Sequence, residues 1–168
     1  MVKLIKHKPT RIPAVVAAVV LLAASYGAQA TTGGPFAGLS GKWAGPGTIT
    51  LASGVKESIR CRANYDVDGR GASLKLELRC ASDSFKFDLQ SSVSHNNGEV
   101  SGFWNELTNR VGGTIAGTAA GDRIQVNVHG PISAMLAMNT RANQQSVSIR
   151  SPGSAMSEVA ISLSRGTK

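Results

Sequence analysis

From Gly41 onward, apolar and polar residues alternate with a period of two. Ile59, Cys61, Ala63, Tyr65 and Val67 share one side of an extended chain, while Ser58, Arg60, Arg62 and Asn64 share the other. Leu74, Leu76, Leu78 and Cys80 resume the apolar phase against Lys75, Glu77 and Arg79, and Phe85, Phe87 and Leu89 oppose Lys86, Asp88 and Gln90. Ile124–Val128, Val147–Ile149 and Val159–Leu163 repeat the pattern. Such alternation marks strands with one buried face, and no window carries the i, i+3, i+4, i+7 stripe of a helix. The pattern predicts an all-β domain.

Turn chemistry punctuates these segments. Asp68–Gly71, Asn97-Gly98, Ala120-Gly121-Asp122, Gly130-Pro131 and Ser151–Ser154 all fall between alternating runs. Asn-Gly is a strong hairpin signal because both residues tolerate positive φ. The spacing predicts roughly eight to ten strands in a meander, best closed as a single antiparallel up-and-down β-barrel so that no edge is left unpaired. Gly102, Gly112, Gly113 and Gly117 lie inside strand patterns, as at barrel corners. Two stretches read as irregular: a Gly-rich lead-in over 31–40, expected to be flexible, and Pro131–Asn143, whose Met135, Leu136 and Met138 are expected to form a lid or contact patch.

The N-terminus changes the reading of charge. The 168 residues carry 18 Lys+Arg against 10 Asp+Glu, a formal +8. Lys3, Lys6, Lys8 and Arg11 precede an apolar run from Ile12 to Ala24, and Ala28-Gln29-Ala30 follows. This is the order of a secretory signal peptide, with cleavage expected near Ala30/Thr31. The expected organisation is a signal peptide (1–30), a lead-in (31–40), a barrel (41–165) and a tail (166–168). Without the first thirty residues the charge falls to a modest excess of four, which removes the case for a polycation. A periplasmic or secreted location follows, with no integral membrane span in the mature chain. An outer-membrane barrel is disfavoured because the few aromatics cannot supply two interfacial girdles.

Cys61 and Cys80 lie on the apolar phase of two segments flanking Asp68–Gly71. In an antiparallel hairpin, opposed residues have a constant index sum, so these two fall opposite each other or one step apart. An exported chain with two such cysteines is expected to join them in a disulfide.

The catalytic inventory is thin. His95 and His129 are distant in sequence and read as exposed turn or strand-end residues, and no close metal-ligand spacing occurs. There is no G-x-S-x-G elbow and no phosphate-binding glycine loop followed by a helix. The expectation is a non-enzyme without cofactor or metal. Arg60, Arg62, Lys75 and Arg79 share the polar phase of neighbouring strands, a possible patch for an anionic partner. Nucleic acid is not expected, because no aromatic stacking platform interleaves with the cations.

Leu39-Ser40-Gly41-Lys42-Trp43, a G-x-W entering the first strand, resembles the opening of calycin-type barrels: lipocalins, avidins and nitrobindin-like haem barrels. The wider chain, with its Ser-Ile-Arg-Cys-Arg-Ala segment, is similar to small exported alphaproteobacterial proteins that carry no established activity. The calycin resemblance implies that Trp43 packs across the barrel floor. Haem barrels place a liganding histidine near the chain end, whereas no histidine follows His129 here. The expected role is non-catalytic binding of a small apolar or amphipathic ligand by inward residues Tyr65, Leu76, Phe87, Trp104, Val126 and Ile149. Phe103 competes with Trp104 for the inward direction. The alternative is an envelope protein-interaction module, such as an inhibitor or stress factor.

Overall fold

In a computed structural model, which describes residues 33–166, the alternating segments form ten strands. These are β1 (Gly41–Leu51), β2 (Lys56–Val67), β3 (Ser73–Ala81), β4 (Lys86–Asn96), β5 (Glu99–Glu106), β6 (Val111–Ala120), β7 (Arg123–His129), β8 (Ala134–Arg141), β9 (Gln144–Arg150) and β10 (Met156–Arg165). A single turn of 3-10 helix, Ala37–Leu39, precedes them. The expected signal peptide and the last two residues of the tail lie outside the described residues.

Each strand pairs antiparallel with the next, and β10 returns to β1, so the sheet is a closed up-and-down barrel. The closing seam aligns Trp43 with Arg165 and Gly47 with Ile161. Strands spaced about 4.8 Å and tilted about 40° close such a ring at a diameter of about 20 Å. In a meander of this kind the odd-to-even turns share one end, and the even-to-odd turns share the other with both termini.

The alternation is explained by closure: one phase of every strand faces inside. Trp43, Ile49, Ile59, Cys61, Tyr65, Ile161 and Leu163 are buried, while Arg60, Arg62 and Arg79 stand outside. Cys61 and Cys80 are directly opposed across β2 and β3, with Cα atoms 4.1 Å apart, and form a disulfide. Inward glycines sit where strands press together. A Cβ on Gly45 would lie 2.0 Å from the Ser162 carbonyl oxygen, so the close β1–β10 approach excludes any side chain there.

Two expectations are corrected. The stretch Pro131–Asn143 is not an irregular lid; most of it is β8, with Leu136 and Met138 inward and Met135 outward. Apolar residues on both phases hid its alternation. The lead-in is not flexible where it is described: Phe36 is fully buried, its amide bonds the Gly71 carbonyl, and Gly34 bonds that of Arg70.

Candidate functional site

One end of the barrel is plugged. Phe36, Leu39 and Trp43 are buried there, and the Trp43 indole donates to the Leu39 carbonyl at 2.7 Å. The Arg165 guanidinium lies 4.6 Å from the centre of the Trp43 ring and donates to the carbonyls of Gly38 and Ser40. It thereby joins the last strand to the chain before the first. Tyr65 meets Trp43 edge to face, with ring centres 6.4 Å apart, and its hydroxyl donates to Gln145 Oε1 at 2.7 Å. Burial pushes its phenol pKa upward, since the charged form would lose water. Trp43 and Tyr65 thus build the floor together.

His95 belongs to this plug and is not a merely exposed turn residue. It faces inward, half-buried, with its ring edge-on to Phe36 at 6.3 Å, and its Nε2 accepts from the Gly98 amide. His129 is exposed. Among the described residues no group of three or more His, Cys, Asp or Glu is placed to hold a metal ion.

Above the floor the inner wall changes character. Leu76, Leu78, Phe87, Leu136, Val147 and Ile149 face inward but are only half-buried. Leu76, Leu78, Phe87, Leu136 and Val147 pack against the buried core cluster. Every strand except β4 carries a buried inward residue, Trp104 on β5 and Val126 on β7 among them, and the half-buried inward ones are most frequent on β3, β4, β6, β8 and β9.

The register sorts the six residues expected to line a pocket. Tyr65, Leu76 and Trp104 lie in one cross-strand row, Tyr65 opposite Leu76, Leu76 opposite Ser91, and Ser91 opposite Trp104. Val126 and Ile149 share a second row, joined by Leu136 between them. Phe87 stands in a third, beside Cys80. Trp104 takes the inward direction, being 4% exposed, whereas Phe103 is 66% exposed. Its indole passes Gly113 to donate to the His129 carbonyl at 3.1 Å, a reach that the missing side chain at Gly113 permits.

Glu106 ends the inward phase of β5 and is buried. Burial alone would raise its pKa, but the backbone amides of Asp88, Asn109 and Thr108 donate to its carboxylate and hold it down at about 2. Glu106, Gln145 and Arg165 were not singled out in the sequence. Each is a polar residue on an otherwise apolar phase, which is the signal that could have found them.

The outer surface carries a cationic depression of about 790 Å³ over β1–β4. Arg60, Arg62, Arg79 and Lys86 line it, with Ala44 and Pro46 as its small floor. Arg62 lies directly opposite Arg79, a like-charge placement that costs stability, and Arg79 bonds Asp88 at 3.1 Å. Arg60 and Arg62 make no ion pair among the described residues. Lys75 stands apart from this group, between Asp66 and Ser92 in the register, and Lys86 takes its place.

Neither a protein-family model nor a curated protein matches this sequence. Among solved structures the fold is similar to the crystal structure of Rv2717c from M. tuberculosis. The two share 14% identity over 78% of this chain and 94% of that chain, at a TM-score of 0.60. That likeness shows the barrel fold.

Proposed function

We propose that this barrel is a non-catalytic binding protein that takes a small apolar or amphipathic molecule into its lumen, and that it works as an exported protein. The observation that supports this reading is the closed ring of ten strands whose inward face carries partly buried apolar side chains, Leu76, Phe87 and Leu136 among them. Leu76, Phe87, Leu136 and Ile149 supply apolar contact worth roughly 25 cal/mol per Å² of ligand surface buried, before the costs of association. The disulfide is consistent with an oxidising compartment.

The test is a fluorescent apolar probe titrated into the protein alongside two tryptophan variants. Leu136→Trp fills the lumen and should weaken probe binding by about tenfold or more, since overfilled space excludes ligand atoms. Ala137→Trp, one residue on and facing outward, should leave it unchanged. Equal binding by both variants, with no co-purifying molecule in native mass spectra, overturns the reading.

A further inference from the structure

The two ends of the barrel present different turns, and the difference points to what the mouth, the end opposite the termini, touches. At the plugged end, three of the turns are tight two-residue reversals: Asn97-Gly98, Gly121-Asp122 and Ala142-Asn143. The fourth is held by Asp68, whose carboxylate accepts from the amides of Ala72 and Ser73. No large apolar side chain is exposed at that end among the described residues.

At the mouth the turns are longer, and three of them raise an apolar tip into solvent. Val55 is 59% exposed in the β1–β2 turn, Leu107 is 47% exposed in the β5–β6 turn, and Ile132 is 47% exposed in the β7–β8 turn. Cations stand beside or within these turns. Lys56 follows Val55, Lys86 opens β4 after the half-buried Phe85, and Arg110 closes the turn of Leu107. Carboxylates share this end: Glu57 accepts from the Ser84 amide, and Glu106 is buried in its own turn. Asp83 is the exposed one.

We infer that the mouth docks on an anionic phospholipid surface, with Val55, Leu107 and Ile132 entering the acyl boundary and Lys56, Lys86 and Arg110 meeting phosphates. The arrangement selects this occupant over a protein. The tips are separated around a ring and do not form one contiguous patch, so a soft, flat, anionic surface can receive all three at once. The basic depression lined by Arg60, Arg62 and Arg79 lies on the flank behind Lys56 and Lys86, and adds positive charge on the same side of the barrel. The inference stands on the turns and holds whether or not the lumen carries a ligand.

The experiment uses the exported chain, beginning at Thr31, and vesicles of phosphatidylcholine with or without phosphatidylglycerol. An environment-sensitive fluorophore is placed at Ser133→Cys on the mouth or at Asn97→Cys on the plugged end, so the signal reads local lipid contact. Emission from the mouth label should shift to the blue with phosphatidylglycerol vesicles, while the plugged-end label stays constant. Combining Val55→Ser, Leu107→Ser and Ile132→Ser should raise the lipid needed for half the shift by about tenfold or more, as lost apolar insertion requires. Met135→Ser, which removes an exposed side chain from the barrel flank, should not. Equal shifts at both labels, no shift at the mouth, or an unaffected triple variant overturns the inference. So does a mouth shift that appears without lipid as protein concentration rises, which would mark a contact between copies.

Discussion

The two ends of the barrel are made from the same alternating strands, yet different side chains fill them. At the plugged end, Arg165, Tyr65 and Gln145 turn inward and spend their hydrogen bonds on the barrel itself, sealing the lumen under Trp43. Toward the mouth the inward face is mostly apolar, with Ile49, Ile59 and Trp104 buried, and the buried carboxylate of Glu106 fastens one turn. The contrast is between an end filled by the chain before β1 and an end of longer turns with apolar tips.

The largest test of that contrast removes the floor. Trp43→Ala should destabilise the whole barrel by about 4 kcal/mol in urea unfolding, because a fully buried indole leaves a cavity that its rigid neighbours do not fill. A loss below about 1 kcal/mol would mean that the plug is an accessory.

The next test addresses the mouth. Glu106→Gln should cost about 2 kcal/mol, since the amides of Asp88, Asn109 and Thr108 lose a charged acceptor. The pH dependence follows from the depressed pKa. The unfolded chain takes up this proton near 4.5 and the folded chain only near 2, so the contribution is intact above 4.5 and drains away as pH falls toward 2. Unfolding midpoints measured near neutrality and at about pH 3 should show a steeper acid loss in the natural protein than in the variant. Hydrogen exchange should loosen first in the amides of Thr108 and Asn109, leaving those around Trp43 protected.

The smallest effect belongs to Arg165→Lys, at about 1 kcal/mol. Lysine keeps the charge but loses the planar fork that reaches two carbonyls while stacking on Trp43. Its signature should be local: a redder, more quenchable Trp43 emission in a Trp104→Phe background. Unchanged emission would separate the clamp from the seal.

Much of the fold was legible because period-two alternation is strong wherever one face is wet. β2, β3, β4, β7, β9 and β10 all show it, and the constant index sum across Asp68–Gly71 brought Cys61 and Cys80 together. β8 was invisible for a physical reason: Ala134-Met135-Leu136-Ala137-Met138 is apolar on both faces, and an exposed Met135 erases the period. The wall suffered from the same blind spot, since Leu136 sits on that strand. The plug could not be read from alternation at all. Phe36 lies in a Gly-rich segment that looks unstructured, and its burial depends on Gly71 and His95, which only the closed ring brings near. The direction of Trp104 likewise needed the register, because two adjacent aromatics satisfy either phase.

The seam between β1 and β10 has a consequence for the order of assembly. All other pairings join neighbours in the chain, so hairpins can form one after another as the polypeptide emerges. The seam alone must wait for residues more than a hundred positions apart, Trp43 and Arg165 among them. Until β10 is made, β1 and the growing edge are two open templates for any passing strand. Ring closure therefore also acts as a completeness check: a chain that stops short of Leu163 keeps both edges exposed and remains a substrate for chaperones or proteases.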